Sequence, residues 1–188
     1  MSEQEIREEY IILEKSRTNP DAFGVLYKKY FDRIFGFIYR QTDDEDVAAD
    51  LCSQTFLNAL KSAEKFTFRG VPVSAWFYKI ASNEVNRYYR NRKSSKTFSL
   101  EENVVRNLYE KANDGWDEEM IDRLLGYLAE LPAEMLEVLN LRFFEDKDFK
   151  EIAFILDITE SGAKMRTYRA LDSLRKNFKL KIKYDGKG

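Results

Sequence analysis

The apolar residues of this chain recur at helical spacing in two blocks, separated by a stretch from Ser94 to Asp117 that carries no continuous apolar period. In the first block, Tyr10, Ile11 and Leu13 predict a short helix over Met1–Arg17. Asn19-Pro20-Asp21 should stop it and cap the next, with Asp21 as N-cap. Phe23, Tyr27, Tyr30, Phe31, Ile34, Phe37 and Ile38 then form a broad aromatic stripe, which reads as core rather than as a ligand box. A third helix starts in the acidic run Thr42–Asp46, where the dipole favours carboxylates, and continues to about Glu64. Its apolar face is Val47, Ala48, Leu51, Cys52, Phe56, Ala59, Leu60 and Ala63, leaving Asp46, Asp50, Gln54, Asn58 and Lys61 outward. Gly70-Val71-Pro72 breaks the chain before a long helix from about Ser74. On that helix Phe77, Ile80, Ala81, Glu84 and Tyr88 share one face, while Lys79, Asn83, Asn86, Arg90 and Lys93 share the other.

In the second block a helix over about Asp117–Glu130 carries Met120, Ile121, Leu124, Leu125 and Leu128. Pro132 opens the next, in a position tolerated in a first turn, and that helix should run unbroken to about Glu145. A loop at 146–148, a short helix over Phe149–Leu156, a tight turn at Asp157-Ile158-Thr159 and a final helix from Glu160 to about Phe178 make a helix-turn-helix pattern. Ala163, Thr167, Ala170, Leu174 and Phe178 should pack inward. Ser161, Met165, Tyr168 and Arg169 then face away from the core, with Lys164 and Arg166 at the flanks. The expectation is an all-α chain: one helical domain over 1–93, a flexible linker over 94–117, and a second helical domain over 118–188.

Composition narrows what such a chain can do. It has no histidine and a single cysteine, Cys52, which removes histidine-dependent nucleophile systems, ordinary zinc sites and an internal disulfide. No glycine-rich phosphate loop appears, and no carboxylate pair stands out, so the sequence argues against an enzyme, a catalytic or metal site and a cofactor. No apolar run approaches bilayer length, and the charged N-terminus does not read as a signal peptide; a reduced, cytoplasmic setting without membrane insertion is expected. The net charge of −2 conceals a strong division by position. Acids dominate between Glu101 and Asp148, whereas basic residues dominate from Trp76 to Lys96 and again from Glu160 to Lys183.

Both basic blocks carry the groups that nucleic acid requires. Phe66, Phe68 and Trp76 offer rings for base stacking, Asn83 and Asn86 offer amides for base edges, and Lys79, Arg87 and Arg90 offer cations for phosphates. In the second block Ser161, Met165, Tyr168 and Arg169 occupy the part of a recognition helix that reaches base edges in a major groove, with Lys164 and Arg166 placed for phosphates. Taken alone, either helix could instead be a solvated amphipathic face, and the second could belong to a stand-alone helix-turn-helix regulator.

The motifs in their order resemble a bacterial RNA polymerase sigma factor of the sigma-70 family, extracytoplasmic-function type, over about residues 20–178. Asp21-Ala22-Phe23 with Leu26-Tyr27 and Tyr30, then Asp46-Val47-Ala48-Ala49-Asp50-Leu51 and Thr55–Ala59, then Ala75–Asn83, resemble region 2. Leu128–Pro132, Phe149–Ala153 and Lys164–Leu171 resemble region 4. The sequence departs from the family pattern at Ser53-Gln54, at Asp157 in place of a turn glycine, and at Ser161-Gly162-Ala163. The resemblance implies a dissociable initiation subunit that binds core polymerase at the β′ clamp helices through Asp46, Asp50, Gln54 and Asn58, and at the β flap. It implies opening of a −10 element by the Phe66–Arg90 segment, reading of a −35 element by Ser161–Arg169, and an anti-sigma factor as a further partner.

Overall fold

The computed structural model describes residues 2–68, 70–92, 126–128 and 131–178. The predicted linker and most of the helix expected over 117–130 lie outside the described residues, as does the side chain of Phe178.

Helix α1 (Glu3–Lys15) opens on a capping box in which the Ser2 hydroxyl accepts from the Glu5 N–H and the Glu5 carboxylate accepts from the Ser2 N–H. Of its expected apolar residues Leu13 is core and Ile11 is exposed. Helix α2 (Pro20–Thr42) is capped by Asn19 rather than by Asp21. Pro20 explains the shift: at the first helical position its missing N–H is not needed, so the residue before it becomes the cap and Asp21 falls in the first turn. Asp44 caps α3 (Glu45–Ser62), accepting from the Val47 N–H at 3.0 Å. A 3-10 turn over Ala63–Lys65 and a loop lead to α4 (Val73–Arg92). Helices α2, α3 and α4 form a bundle around Leu26, Ile34, Cys52, Ala59 and Ala81, with Phe23, Phe56 and Phe77 in mutual edge and tilted contact at 5.4–6.4 Å. Arg17 pins the end of α1 to the turn after α3 by donating to the carbonyls of Ala63 and Phe66.

In the second block α5 covers Ala133–Leu139, and the helix expected to run unbroken to Glu145 instead widens into a π-helical turn over Asn140–Phe144. The 145 N–H reaches back five residues to the Asn140 carbonyl at 3.1 Å. A capping box of Asp148 and Glu151 opens α6 (Phe149–Leu156), which ends on Asp157 in the left-handed conformation, φ 57°. The Thr159 hydroxyl accepts from the Gly162 N–H at 3.0 Å as α7 (Glu160–Phe178) begins. A Cβ at position 162 would stand 3.1 Å from that hydroxyl, so a larger residue there would press on the Thr159 side chain by a few tenths of an ångström. Ala163, Thr167, Ala170 and Leu174 are buried, as their steps of four, three and four predict.

The two blocks pack on each other. Leu136, Leu139, Ala170, Leu171 and Leu174 form a small core of their own. Val138, Leu141, Ile152, Ile155 and Ala163 instead join the core of the α2–α4 bundle, with α6 lying against α4.

Candidate polymerase and nucleic-acid interfaces

Along α3, Asp46 and Asp50 are exposed, and Gln54 and Asn58 are half-buried in a hydrogen-bonded chain. The Gln54 amide donates to Asn58 Oδ1 at 2.8 Å, and the Asn58 amide donates to Glu84 Oε1 at 2.9 Å. The other Glu84 oxygen pairs with Arg87. Buried Glu84 therefore fixes members of both sequence-predicted sets at once, with the α3 amides on one side and the α4 guanidinium on the other. A carboxylate so held accepts two strong hydrogen bonds and leaves half of the Arg87 side chain in solvent.

On α4, Asn83, Asn86, Arg87 and Arg90 are exposed on one outward strip. Lys79 is not free: it pairs with Asp157 at 3.1 Å and stands 5.0 Å from the centre of the Phe154 ring. Phe66 and Trp76 are 7% and 9% exposed and pack on each other with ring centres 4.6 Å apart. Phe68 differs: it is 44% exposed, leaning on Tyr10 at 5.4 Å. Of the three aromatic candidates, Phe68 is the ring presented to solvent.

On α7, Ser161, Met165, Tyr168 and Arg169 are exposed as expected. Lys164 and Arg166 are half-buried and ion-paired, to Glu160 at 3.1 Å and to Glu134 at 3.2 Å. Pro132, Met135, Ile158, Met165 and Arg169 line an open groove beside this face.

Sequence reasoning missed the polar seam between the blocks. Buried Glu145 accepts from Tyr78 and pairs with Arg40, with Arg33 at 3.9 Å. Buried Lys147 donates to Ser74 Oγ at 3.2 Å, stands 4.5 Å from the centre of the Tyr78 ring and has Glu151 at 3.7 Å. Ser82 donates to Glu137 at 2.5 Å, Arg40 to Asn140 at 3.1 Å, and Lys150 to the Gly70 carbonyl at 2.8 Å. Burial lowers the pKa of the Lys147 ammonium, while Glu151 and Glu145 oppose the shift. Burial, reinforced by Glu145, raises the pKa of the Tyr78 phenol, so it stays a donor to that carboxylate. The one sign in the sequence is that Tyr78 and Ser82 fall outside the predicted apolar face of α4 yet carry no charge.

Comparison with known proteins fits this arrangement. The family profile for sigma-70 region 2 matches residues 26–95, and that for sigma-70 region 4 matches residues 127–176. The RNA polymerase sigma factor YlaC of Bacillus subtilis is 30% identical over 161 residues, which cover 84% of this chain and 92% of YlaC. This chain belongs to the sigma-70 family, in its extracytoplasmic-function group. SigM of Bacillus subtilis is 27% identical, covering 80% of this chain and 91% of SigM. BldN of Streptomyces coelicolor is 30% identical over 82% of this chain, which spans 59% of BldN's length. Among solved structures, CnrH in complex with the cytosolic domain of CnrY superposes with a TM-score of 0.63 at 19% identity, covering 90% of this chain and 96% of that one. RpoE of Bartonella quintana, in complex with the anti-sigma factor NepR, gives 0.59 at 19% over 84% and 96%. These likenesses show the two-part helical fold. Region 2 thus comprises most of α2 together with α3 and α4, and region 4 comprises α5–α7. A sigma factor is a transcription-initiation subunit, and the region 2 match disfavours a stand-alone helix-turn-helix regulator.

Proposed function

We propose that this sigma factor divides initiation among three surfaces. The exposed edge of α3, with Asp46, Asp50, Gln54 and Asn58, receives the clamp helices of the polymerase β′ subunit; region 4 meets the β flap. The outward strip of α4, with Asn83, Asn86, Arg87 and Arg90, holds one strand of the −10 element, with Lys79 joining once it leaves Asp157. Phe68 supplies the ring on which an extruded base stacks, while Phe66 and Trp76 form the floor behind it. Extrusion costs a few kcal/mol, which stacking and phosphate contacts offset without nucleotide hydrolysis. The outward face of α7 reads the −35 duplex through Ser161, Met165, Tyr168 and Arg169, flanked by Lys164 and Arg166.

The observation that carries this reading is the pairing of two solvent-facing polar and basic helix faces, one in each matched region. One solved neighbour, RpoE, is bound to the anti-sigma factor NepR and another, CnrH, to the cytosolic domain of CnrY, which supports an anti-sigma partner here. No helix among the described residues is long and apolar enough to cross a membrane, in keeping with a cytoplasmic site of action.

Run-off transcription tests the proposal: purified core polymerase on a genomic fragment library, with and without this protein. Discrete new transcripts sharing two upstream elements are expected. Failure to bind core, combined with sequence-selective binding of duplex by the protein alone, would sink it.

A further inference from the structure

Glu84 touches both proposed working surfaces of region 2, and the chemistry of a carboxylate dictates what each of them shows. Its side chain is 8% exposed, with Asn58 Nδ2 at 2.9 Å on one oxygen and Arg87 on the other. A carboxylate can only accept hydrogen bonds, whereas an amide end can turn either its oxygen or its NH2 toward a neighbour. Asn58 must therefore turn its NH2 to Glu84, which leaves its oxygen facing Gln54. Gln54 must in turn present its NH2, and does so at 2.8 Å. The last atom of this chain, Gln54 Oε1, has no donor among the described residues and keeps access to solvent. Asp46, Asp50 and Gln54 recur at steps of four on α3 and share one face of it. With Gln54 turned this way, all three side chains show oxygen acceptors to a partner. Had the amides turned over, an NH2 would break the row.

On the promoter side the same residue acts through Arg87, about one turn further along α4. A guanidinium carries five N–H donors in a rigid fork. Glu84 engages one end of that fork, and half of the Arg87 side chain stays in solvent. An arginine anchored at one end aims its remaining donors in a fixed direction, where an unanchored one samples many rotamers. Contacts to phosphate carry no sequence information, but they set the register in which neighbouring groups meet the bases. Here the neighbours are Asn83 and Asn86, exposed on the same strip. Glu84 also offsets the charge of Arg87, so it does not serve to raise general affinity for nucleic acid. What it favours is binding in one register over binding in others.

We propose that Glu84 is a positioning residue shared by the two surfaces. Through Asn58 and Gln54 it sets the acceptor polarity of the polymerase-facing edge, and through Arg87 it sets the register of the promoter strand. The assignment rests on the sigma-factor reading above. Glu84 itself touches neither polymerase nor DNA.

Two variants and a measurement on the wild-type chain test it. Glu84→Met keeps the length of the side chain and removes both acceptors. Reconstituted holoenzyme is titrated with the non-template −10 strand of a promoter recovered by run-off transcription, and with the same strand carrying permuted −10 bases. The ratio of the two affinities should fall about tenfold, the equivalent of one hydrogen bond to a charged group. Loss of folded protein would lower both affinities alike, so the ratio reports positioning and not stability. Affinity for core polymerase should fall about tenfold as well. In an Asn58→Ala background Glu84→Met should cause no further loss of core affinity, because the link to Gln54 is already cut. Glu84→Gln, with one acceptor oxygen left, should impair at least one of the two surfaces. In the wild-type chain, nuclear magnetic resonance should show the side-chain amide protons of Asn58 exchanging with solvent about tenfold more slowly than those of exposed Asn83.

The assignment falls if Glu84→Met leaves either the ratio or the core affinity at the wild-type level, or if Glu84→Gln leaves both there. It falls equally if the loss of core affinity persists in the Asn58→Ala background, as a merely structural role requires. Equally fast exchange of the two amides would remove the hydrogen-bonded chain on which it stands. Each of these results leaves the sigma reading intact. That reading fails instead if the wild-type protein does not bind core polymerase, and the role of Glu84 fails with it.

Discussion

Cys52 illustrates how a single side chain follows from its surroundings. Its thiol is fully buried on α3 within the bundle core, and burial raises its pKa to about 12, with a smaller contribution from Asp32. A folded value above the ordinary 9.0 means that the native state keeps its proton where the unfolded chain has lost it. The stabilisation from this group is therefore complete below about pH 9 and is lost as pH rises toward 12. The expected outcome is that a thiol reagent at pH 8 leaves native protein unmodified and reacts once per chain in denaturant. Rapid reaction of the native protein would contradict the burial. Trp76 gives a different lesson at this scale. Its residue type and neighbours suggest a DNA contact, but its ring lies against Phe66 and Phe77, at 4.6 and 5.5 Å, so much of its effect on function passes through the shape of the loop that presents Phe68.

Among the elements, α7 was fully legible and α4 only half so. The alternating four- and three-residue steps of Ala163, Thr167, Ala170 and Leu174 have one solution on a helix, and the outward face follows from it. Arg169 is exposed on that face, at the edge of the open groove. Arg169→Ala should weaken binding to the specific −35 duplex by roughly 1–3 kcal/mol and relax base preference, whereas Arg90→Ala should leave −35 binding unchanged. Competition binding with a mutated −35 element separates the two. On α4 the predicted face of Phe77, Ile80, Ala81, Glu84 and Tyr88 is buried at Phe77, Ala81 and Glu84 and half-buried at Ile80 and Tyr88, but Ser74, Tyr78, Ser82, Val85 and Tyr89 are buried as well. A helix covered on both flanks loses the amphipathic signature that locates a single buried face. The π-helical turn after α5 was likewise invisible, because no glycine or proline marks it; it occurs where Asn140 and Leu141 enter the seam with region 2.

For the whole molecule, the balance at the seam is the quantity that matters. Glu145 is the residue around which Arg33, Arg40 and Tyr78 converge. Glu145→Gln keeps the size of the side chain but leaves the half-buried Arg40 guanidinium without its counter-charge, a loss of roughly 2–3 kcal/mol, below that of a fully buried pair broken on one side. Interfaces between domains are commonly small and polar, so a loss of that size favours their separation. The radius of gyration of free Glu145→Gln protein in small-angle scattering should therefore grow, while its helical circular dichroism stays close to wild type. An unchanged radius would show that the apolar residues of the seam suffice without the charges.

The sequence by itself determined the four helices of the first block and the helix-turn-helix of the second, the inward and outward faces of α3 and α7, the division of charge and the membership of the family. These depend on neighbours three or four residues apart, which periodicity records directly. Tertiary structure alone decided the burial of Phe66 and Trp76, and above all the packing of α6 against α4. That contact joins Tyr78 to Glu145 and Lys79 to Asp157, residues 67 and 78 positions apart. Pairings over such distances arise when two surfaces are brought together and each polar group buried there finds a partner, and no local pattern in the chain encodes which partner it will be.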